Sequence, residues 1–163
     1  MKVFVIILII IHILILVNNN IMKNIWSVVC KNSIVDGETN SLSLLETLDE
    51  ITINYKEEMD WQVVKFLPLS FHVVTLWFDE NDKKDRKFSL SVSVIDPQGT
   101  TLNTFEQDCL IPKGSMRLRA TSKITGFGFT DKGKYSIVVK YKEAKNFIKV
   151  ADIPVNINLK KQL

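Results

Sequence analysis

Apolar and polar residues alternate in several stretches of the chain beyond residue 21. In residues 88–94 every second position is apolar and the three positions between are serine, and residues 135–142 and 153–160 show a similar alternation. Successive side chains of a β-strand point to opposite faces, so this period of two predicts antiparallel strands with one buried and one solvent-exposed face. Residues 71–78 and, more weakly, 41–48 are apolar on both faces, which predicts central strands.

Turn-forming residues separate these stretches. Residues 96–99 read Asp-Pro-Gln-Gly, which suits a type I turn, and further turns are predicted near residues 36–40, 112–114 and 131–133. A helix is a candidate only over residues 55–65. We therefore predict an all-β fold for residues 22–163, a single antiparallel β-sandwich of eight or nine strands and of immunoglobulin-like or C2-like type. Pro154 predicts an edge position for the last strand, because proline has no N–H to donate.

The first 21 residues differ from the rest of the chain. Residues 3–17 are apolar apart from His12. Lys2 and this length suit a signal peptide, but the three asparagines that follow offer no small-residue cleavage site. As a helix the stretch would span about 22 Å, less than the roughly 30 Å of a membrane core. The apolar leader at residues 1–21 is therefore a mis-set start ahead of Met22, a signal peptide or a membrane anchor.

Charge adds little to this picture. The whole chain carries a formal net charge of +3, and because Lys2 is the one charged residue before Met22, the 142 residues from Met22 onward carry +2. This balance does not indicate a nucleic-acid-binding protein. Apolar residues make up 46% of the sequence, and the leader holds a disproportionate share of them.

Few residues suit catalysis or metal binding. His72 is the only histidine beyond residue 21, and its apolar strand face favours a hydrogen-bonded core histidine over a catalytic or metal-binding one. Cys30 is expected to point inward with Trp26 and Val28. Cys30 and Cys109 have no Cys-x-x-Cys spacing, so two buried thiols are favoured. A disulfide between the sheets is the alternative for an exported chain, and no neighbour is expected to activate a nucleophilic thiol.

Two clusters of charged residues are candidate ligand-binding sites. Asp79, Glu80, Asp82 and Asp85 suggest a calcium loop, but interleaved basic residues and the lack of glycine favour a solvated hairpin loop. Arg117 and Arg119 share one strand face, and lysines at 140, 142, 145, 149, 160 and 161 add to a basic stripe. Such a stripe can meet phosphate, an anionic membrane or an acidic partner, although solvated strand faces are the favoured interpretation.

Several stretches resemble a family of small bacterial proteins of unknown function. They are residues 26–30 (Trp-Ser-Val-Val-Cys), 34–36, 39–44 (Thr-Asn-Ser-Leu-Ser-Leu), 66–69, 96–99 and 133–136. Members of that family begin near their initiator Met with a strand that ends in Cys-Glu, and this chain departs from them with Lys31. The likeness covers about residues 22–159. It implies a β-sandwich that starts at Met22, and it implies no activity.

These observations favour binding over catalysis. No catalytic triad, paired catalytic carboxylates, metal-ligand spacing or cofactor motif can be assembled from the sequence, so we expect no enzyme activity, cofactor or metal. The leading hypothesis is an interaction module for a protein partner, bound through loops or a strand edge, for example by β-augmentation along the Pro154 strand. The alternative is an exported or membrane-anchored module that binds carbohydrate or a membrane surface, and a small hydrolase or isomerase that uses His72 ranks third. A chain that starts at Met22 would be cytoplasmic, which is preferred, and one that keeps residues 1–21 would be anchored or secreted.

Overall fold

The computed structural model describes residues 22–56 and 63–162. Their regular structure consists of strands, which confirms the predicted all-β class. The strands are β1 (Lys23–Val35), β2 (Leu42–Thr47), β3 (Glu50–Tyr55), β4 (Lys65–Phe78), β5 (Arg86–Ile95), β6 (Thr101–Ile111), β7 (Arg117–Phe129), β8 (Gly133–Lys142) and β9 (Ile148–Lys161). They form a four-stranded sheet in the order β2-β1-β4-β7 and a five-stranded sheet in the order β3-β9-β8-β5-β6. The leader at residues 1–21 and positions 57–62 of the helix candidate lie outside the described residues.

One buried core lies between the two sheets. Strands β5 and β8 supply it with alternate residues, which are Leu90, Val92 and Val94 from the first and Tyr135, Ile137 and Val139 from the second. From the other sheet, the Trp77 ring lies 5.0 Å from that of Phe88 and 5.3 Å from that of Tyr141, measured between ring centroids. Burial of each large apolar side chain contributes about 1.5–3 kcal/mol. The apolar positions of residues 88–94 and 135–141 are therefore the ones that face the core.

The chain changes sheets between β2 and β3. The Leu48 N–H donates to the Val29 carbonyl of the four-stranded sheet at 2.9 Å, and the Asn156 N–H of the five-stranded sheet donates to the Asp49 carbonyl at 2.8 Å. Strand β3 then pairs with β9 in the parallel direction along its whole length. The prediction of a wholly antiparallel arrangement is wrong at this pair, because alternation reports the buried face of a strand and not the direction of its neighbour.

Strand β9 does not lie at the edge of its sheet, because β8 and β3 flank it. Its pairing with β3 begins only at Asn156, however, and the Asn156 N–H points toward that side. Backbone groups alternate sides along a strand, so the nitrogen of Pro154 points to the same side two residues before β3 begins. The edge prediction is wrong for β9 as a whole, and Pro154 is tolerated at a local gap in the pairing.

Of the two strands predicted to be central, only β4 is central. It lies between β1 and β7. Strand β2 forms the edge of the same sheet, so the prediction for residues 41–48 is wrong. Its apolar residues have other neighbours: Leu48 packs against the core between the sheets, and Leu42 and Leu44 are half-buried while Leu45 is 43% exposed.

Tyr135 holds the corner between β7 and β8, at the predicted turn near residues 131–133. Its hydroxyl donates to the Asp131 carbonyl at 2.7 Å and accepts from the N–H groups of Thr130 at 2.9 Å and Asp131 at 3.1 Å. The side chain is fully buried, and its ring lies 5.6 Å from that of Phe127. One hydroxyl therefore satisfies three backbone groups at this corner.

Candidate binding groove

The outer face of the four-stranded sheet carries cross-strand rows of side chains. The strand register aligns Lys23–Phe78–Arg117, Trp26–Leu76–Arg119, Val28–Val74–Thr121 and Cys30–His72–Lys123 across β1, β4 and β7. Residues in register on neighbouring strands lie on the same face of a sheet. This face is largely apolar on β1 and β4, and it is largely basic on β7.

A hairpin covers this face, and we call it the β1–β2 hairpin (residues 31–46). Near its base, the Ser33 hydroxyl lies 2.8 Å from His72 Nδ1, and the Ser33 N–H donates to the same nitrogen at 3.1 Å. At its tip, Asn40 contacts Arg119, which is in register with Leu76, four residues along β4 from His72. The hairpin therefore runs back over the sheet from the His72 row to the Leu76 row.

The hairpin bends where Lys31 and Glu46 face each other. Glu46 has a φ of 51°, a left-handed conformation that residues other than glycine and asparagine adopt rarely. Its carboxylate lies 3.0 Å from the Lys31 ammonium, and both side chains are exposed, so this ion pair contributes little to stability. Val74 and Cys30 are fully buried although neither belongs to the core between the sheets. The bent hairpin is what covers them.

A groove of about 680 Å³ lies between the hairpin and the sheet. Trp26 and Leu76 line it from the sheet, and Val35 and Leu42 line it from the hairpin. Binding sites for small ligands typically measure about 300–1,000 Å³ and combine apolar walls with a few polar groups. This groove fits that description, because the remaining lining residues are Asn40, Arg117, Leu118 and Arg119.

Two guanidinium groups from β7 give the groove a positive charge. Arg119 Nη2 donates to both oxygens of Asn40, to the backbone carbonyl at 2.6 Å and to Oδ1 at 2.8 Å. Arg117 is exposed and has no hydrogen-bond or ion-pair partner among the described residues. Asp36 in the hairpin turn is already occupied, because the N–H and hydroxyl of Thr39 donate to it and lower its pKa.

His72 and Cys30 lie beneath the hairpin and not in the core. His72 is half-buried and hydrogen-bonded to Ser33, so the expectation of a hydrogen bond is met and that of a core position is wrong. Cys30 shares its face with Trp26 and Val28 as expected, but that face points to the hairpin and not inward. The error has one cause: alternation separates the two faces of a strand without saying which one meets the core.

The two cysteines are free thiols, so the alternative of a disulfide between them is not realised; Cys30 is buried as predicted, and Cys109 is only half-buried. Burial raises the pKa of the Cys30 thiol and that of the Cys109 thiol. A raised pKa keeps a thiol protonated at neutral pH, and a protonated thiol is a poor nucleophile and a poor metal ligand. Neither cysteine lines the groove.

The acidic residues 79–85 form a loop that docks on the turn between β6 and β7. Asp79 is buried, and its Oδ2 lies 3.7 Å from Arg86 Nη1. Asp85 accepts a hydrogen bond from the Lys113 N–H at 2.8 Å, and Glu80 pairs with a lysine at the start of β1. Among residues 22–56 and 63–162, no three histidine, cysteine or acidic side chains come together as a metal site. The carboxylates of Asp79, Glu80 and Asp85 therefore have structural partners. Asp82 contributes its backbone carbonyl, which accepts from the Gly114 N–H at 2.8 Å.

The other basic residues of the predicted stripe lie away from the groove. The lysines at 140, 142, 149, 160 and 161 belong to β8 and β9 in the five-stranded sheet. Lys142 Nζ lies 4.7 Å from the centroid of the Phe147 ring, and Lys149 pairs with Asp152 at 2.8 Å. Of the stripe, Arg117 and Arg119 line this groove, whereas Lys142 lines a separate concavity together with Lys87 and Glu143.

Sequence reasoning identified Arg117 and Arg119 as a pair but missed Trp26, Leu76 and Asn40. An apolar residue on a covered outer face has the same alternation as one that faces the core. The sequence nevertheless contained a clue to the groove. Residues 71–78 are apolar on both faces, and each apolar face of a strand must pack against another part of the protein. One face of β4 packs against the five-stranded sheet, and the β1–β2 hairpin packs on the other.

Comparison with protein-family models finds no match, and comparison with curated proteins finds none either. Within the part of the chain that the structure describes, there is no helix that could serve as a membrane span.

Proposed function

We propose that this protein is a non-enzymatic β-sandwich module that binds a segment of a protein partner in the groove beneath the β1–β2 hairpin. The observation that carries the proposal is the groove itself, which combines Trp26 and Leu76 with the guanidinium groups of Arg117 and Arg119. Buried aromatic and arginine side chains contribute most to protein binding. Asn40 in the turn of the β1–β2 hairpin lines the groove, so the proposal is consistent with binding through loops.

Within this proposal the sandwich is of immunoglobulin-like type, in preference to C2-like. The Tyr135 hydroxyl at the start of β8 bonds to backbone groups four and five residues upstream, as the tyrosine at the corner before the sixth immunoglobulin strand does. The buried Trp77 departs from that pattern. It packs against Phe88 and Tyr141, whereas the buried tryptophan of antibody domains packs against an inter-sheet disulfide.

The groove is a better candidate for the partner than the open side of β9. Residues 148–155 of β9 pair with β8 alone, so β-augmentation would have to occur there. A register shift near Val150, the imino nitrogen of Pro154 and the exposed Lys149–Asp152 ion pair interrupt that edge. Bulges, proline and charges are the features by which proteins discourage strand addition.

Binding suits the lining of the groove better than catalysis does. The eight residues that line it are apolar side chains, one amide and two guanidinium groups. Arginine stays protonated in proteins and an amide does not titrate, so this set provides no general base or nucleophile. His72, the basis of the enzyme hypothesis, is bonded to Ser33 and is not among the lining residues.

A peptide-display selection on the full chain tests this proposal. Arg117→Glu is the diagnostic variant, because Arg117 is exposed and the substitution reverses charge in the groove. Lys160→Glu is the matched control, since it makes the same charge change on an exposed residue of β9. We expect selected peptides, measured by fluorescence polarisation, to bind the Arg117→Glu variant at least about tenfold more weakly and the Lys160→Glu variant unchanged.

Three results would overturn the proposal. The first is peptide binding that is equal in both variants, and the second is no peptide binding. The third is binding confined to immobilised glycans or to anionic phosphatidylserine vesicles, tested in parallel, which would favour the carbohydrate or membrane-surface alternative. Intact-mass analysis of the natively expressed chain bears on the same alternative. A chain that keeps residues 1–21 and sediments with membranes would favour an anchored module, and a soluble chain that begins at Met22 would disfavour it.

A further inference from the structure

We infer that the groove recognises a carboxylate with a bulky apolar side chain about three residues away, and that Asn40 occupies the carboxylate position until the partner arrives. This inference rests on the proposed function and adds the chemistry of the partner segment. It also assigns the β1–β2 hairpin a part in regulating access to the site.

Asn40 already supplies Arg119 with two acceptor oxygens, as many as a carboxylate has. Its backbone carbonyl and its Oδ1 accept from the same nitrogen, Nη2, at 2.6 and 2.8 Å. A carboxylate offers the same number of acceptors and can bind two nitrogens of the guanidinium group at once, and arginine is the residue that binds planar carboxylates best. An external carboxylate would replace two neutral oxygens with charged ones, and charge-assisted hydrogen bonds are roughly twice as strong.

Asn40 can be displaced. It is exposed, so water can replace its contacts with Arg119, and its φ of 54° is one that glycine adopts even more readily than asparagine. Next to it on β7, Arg117 has no partner among the described residues and is placed two positions from Arg119 on the same face. That spacing is about 7 Å along a strand. A carboxylate that enters from the Arg117 side therefore meets a free guanidinium group first and Arg119 second.

The spacing of the lining residues fixes what accompanies the carboxylate. Arg119, Leu76 and Trp26 are in register on β7, β4 and β1. Neighbouring strands lie about 4.8 Å apart, so the charged strand and the Trp26 strand are separated by about 10 Å. Three residues of a polyproline II segment span about 9 Å and complete one turn, so its first and fourth side chains lie on the same face. A segment laid across the sheet would thus place an acidic side chain at Arg119 and an apolar one against Trp26 and Leu76.

Three synthetic probes test the inference on the full chain. They are a fluorescein-labelled acetyl-Leu-Ser-Ser-Asp amide, its counterpart with Asn in place of Asp, and its counterpart with phosphoserine in that place. We expect the Asp probe to bind about tenfold or more tightly than the Asn probe, as the loss of a charged hydrogen-bond partner requires. We also expect the Asp probe to bind at least as tightly as the phosphoserine probe.

Two substitutions at Asn40 test the competition. Asn40→Asp supplies a permanent internal carboxylate to Arg119, and we expect it to weaken the Asp probe about tenfold or more. Asn40→Gly removes Oδ1 and suits the positive φ, and we expect it to tighten the Asp probe severalfold. Near-ultraviolet circular dichroism checks that both variants keep the wild-type fold.

Equal binding of the Asp and Asn probes, stronger binding of the phosphoserine probe, or shifts in the same direction for both Asn40 variants would overturn the inference. The proposed function is judged separately. If selected peptides depend on Arg117 while the Asp and Asn probes bind equally, the groove binds peptides without a carboxylate, so the proposed function stands and the inference fails. If no peptide depends on Arg117, both fail.

Discussion

Tyr135→Phe should destabilise the protein by about 2–3 kcal/mol. The substitution removes a hydroxyl that donates to the Asp131 carbonyl at 2.7 Å and accepts from two N–H groups, those of Thr130 and Asp131. The fully buried ring stays in place and keeps its contact with Phe127, so the loss is confined to hydrogen bonding. A buried polar group left without its partner costs about 1–3 kcal/mol. Thr130 and Asp131 are half-buried, so water compensates for part of the loss of three partners.

Urea unfolding of the full chain, followed by tryptophan fluorescence, measures this change, and the same loss should lower Tm by about 5–10 °C. Tyr141→Phe is the matched control. Tyr141 is 8% exposed and its hydroxyl has no hydrogen-bond partner among the described residues, so we expect a change below about 1 kcal/mol. Equal effects of the two substitutions would refute the role given to the Tyr135 hydroxyl in holding the β7–β8 corner.

Three further substitutions test the core, a turn and one carboxylate. Thr75→Val should cost about 1–3 kcal/mol in urea unfolding, because it leaves the buried Trp77 Nε1–H without the hydroxyl that accepts from it at 2.7 Å; a neutral result would contradict that contact. Gly133→Ala should destabilise by about 1 kcal/mol or more, because its φ is 140° and a Cβ would lie 3.0 Å from a proline ring, whereas Gly37→Ala, with open space around it, should be neutral. The Lys149 hydrogen bond lowers the pKa of Asp152, so its stabilising contribution is present above the unfolded pKa of about 3.9 and is lost as the pH falls through the lower folded pKa. Asp152→Asn should therefore flatten the fall of stability in acid, and an unchanged pH profile would exclude this carboxylate as a cause.

The strands were predictable from the sequence because only the side chains on one face of a strand meet the core and must be apolar. Residues 88–94 alternate between apolar side chains and serine, and the structure buries the apolar set between the sheets. The turn at residues 96–99 was predictable for a similar reason, since aspartate, proline and glycine each suit one position of it, and the Gly99 N–H bonds to the Asp96 carbonyl at 3.0 Å.

The hairpin and the groove were not predictable in the same way. Trp26 and Leu76 alternate as core residues do, so their position on an outer face depends on a cover that lies elsewhere in the chain. The bend that brings this cover back occurs at Glu46, which adopts a positive φ without being a residue type that favours it. The crossing from β2 to the parallel β3 likewise leaves no trace in alternation, because parallel and antiparallel neighbours bury the same face of a strand.

A carboxylate-bearing segment should bind beneath the β1–β2 hairpin. Titration of the isotope-labelled full chain with the acetyl-Leu-Ser-Ser-Asp amide probe, followed by two-dimensional NMR, tests it most directly. We expect the largest shifts at the Trp26 indole, the Arg119 guanidinium and the Leu42 and Leu76 methyl groups, and weaker shifts with the Asn probe. Shifts concentrated along residues 148–155 of β9, or equal shifts with both probes, would contradict it.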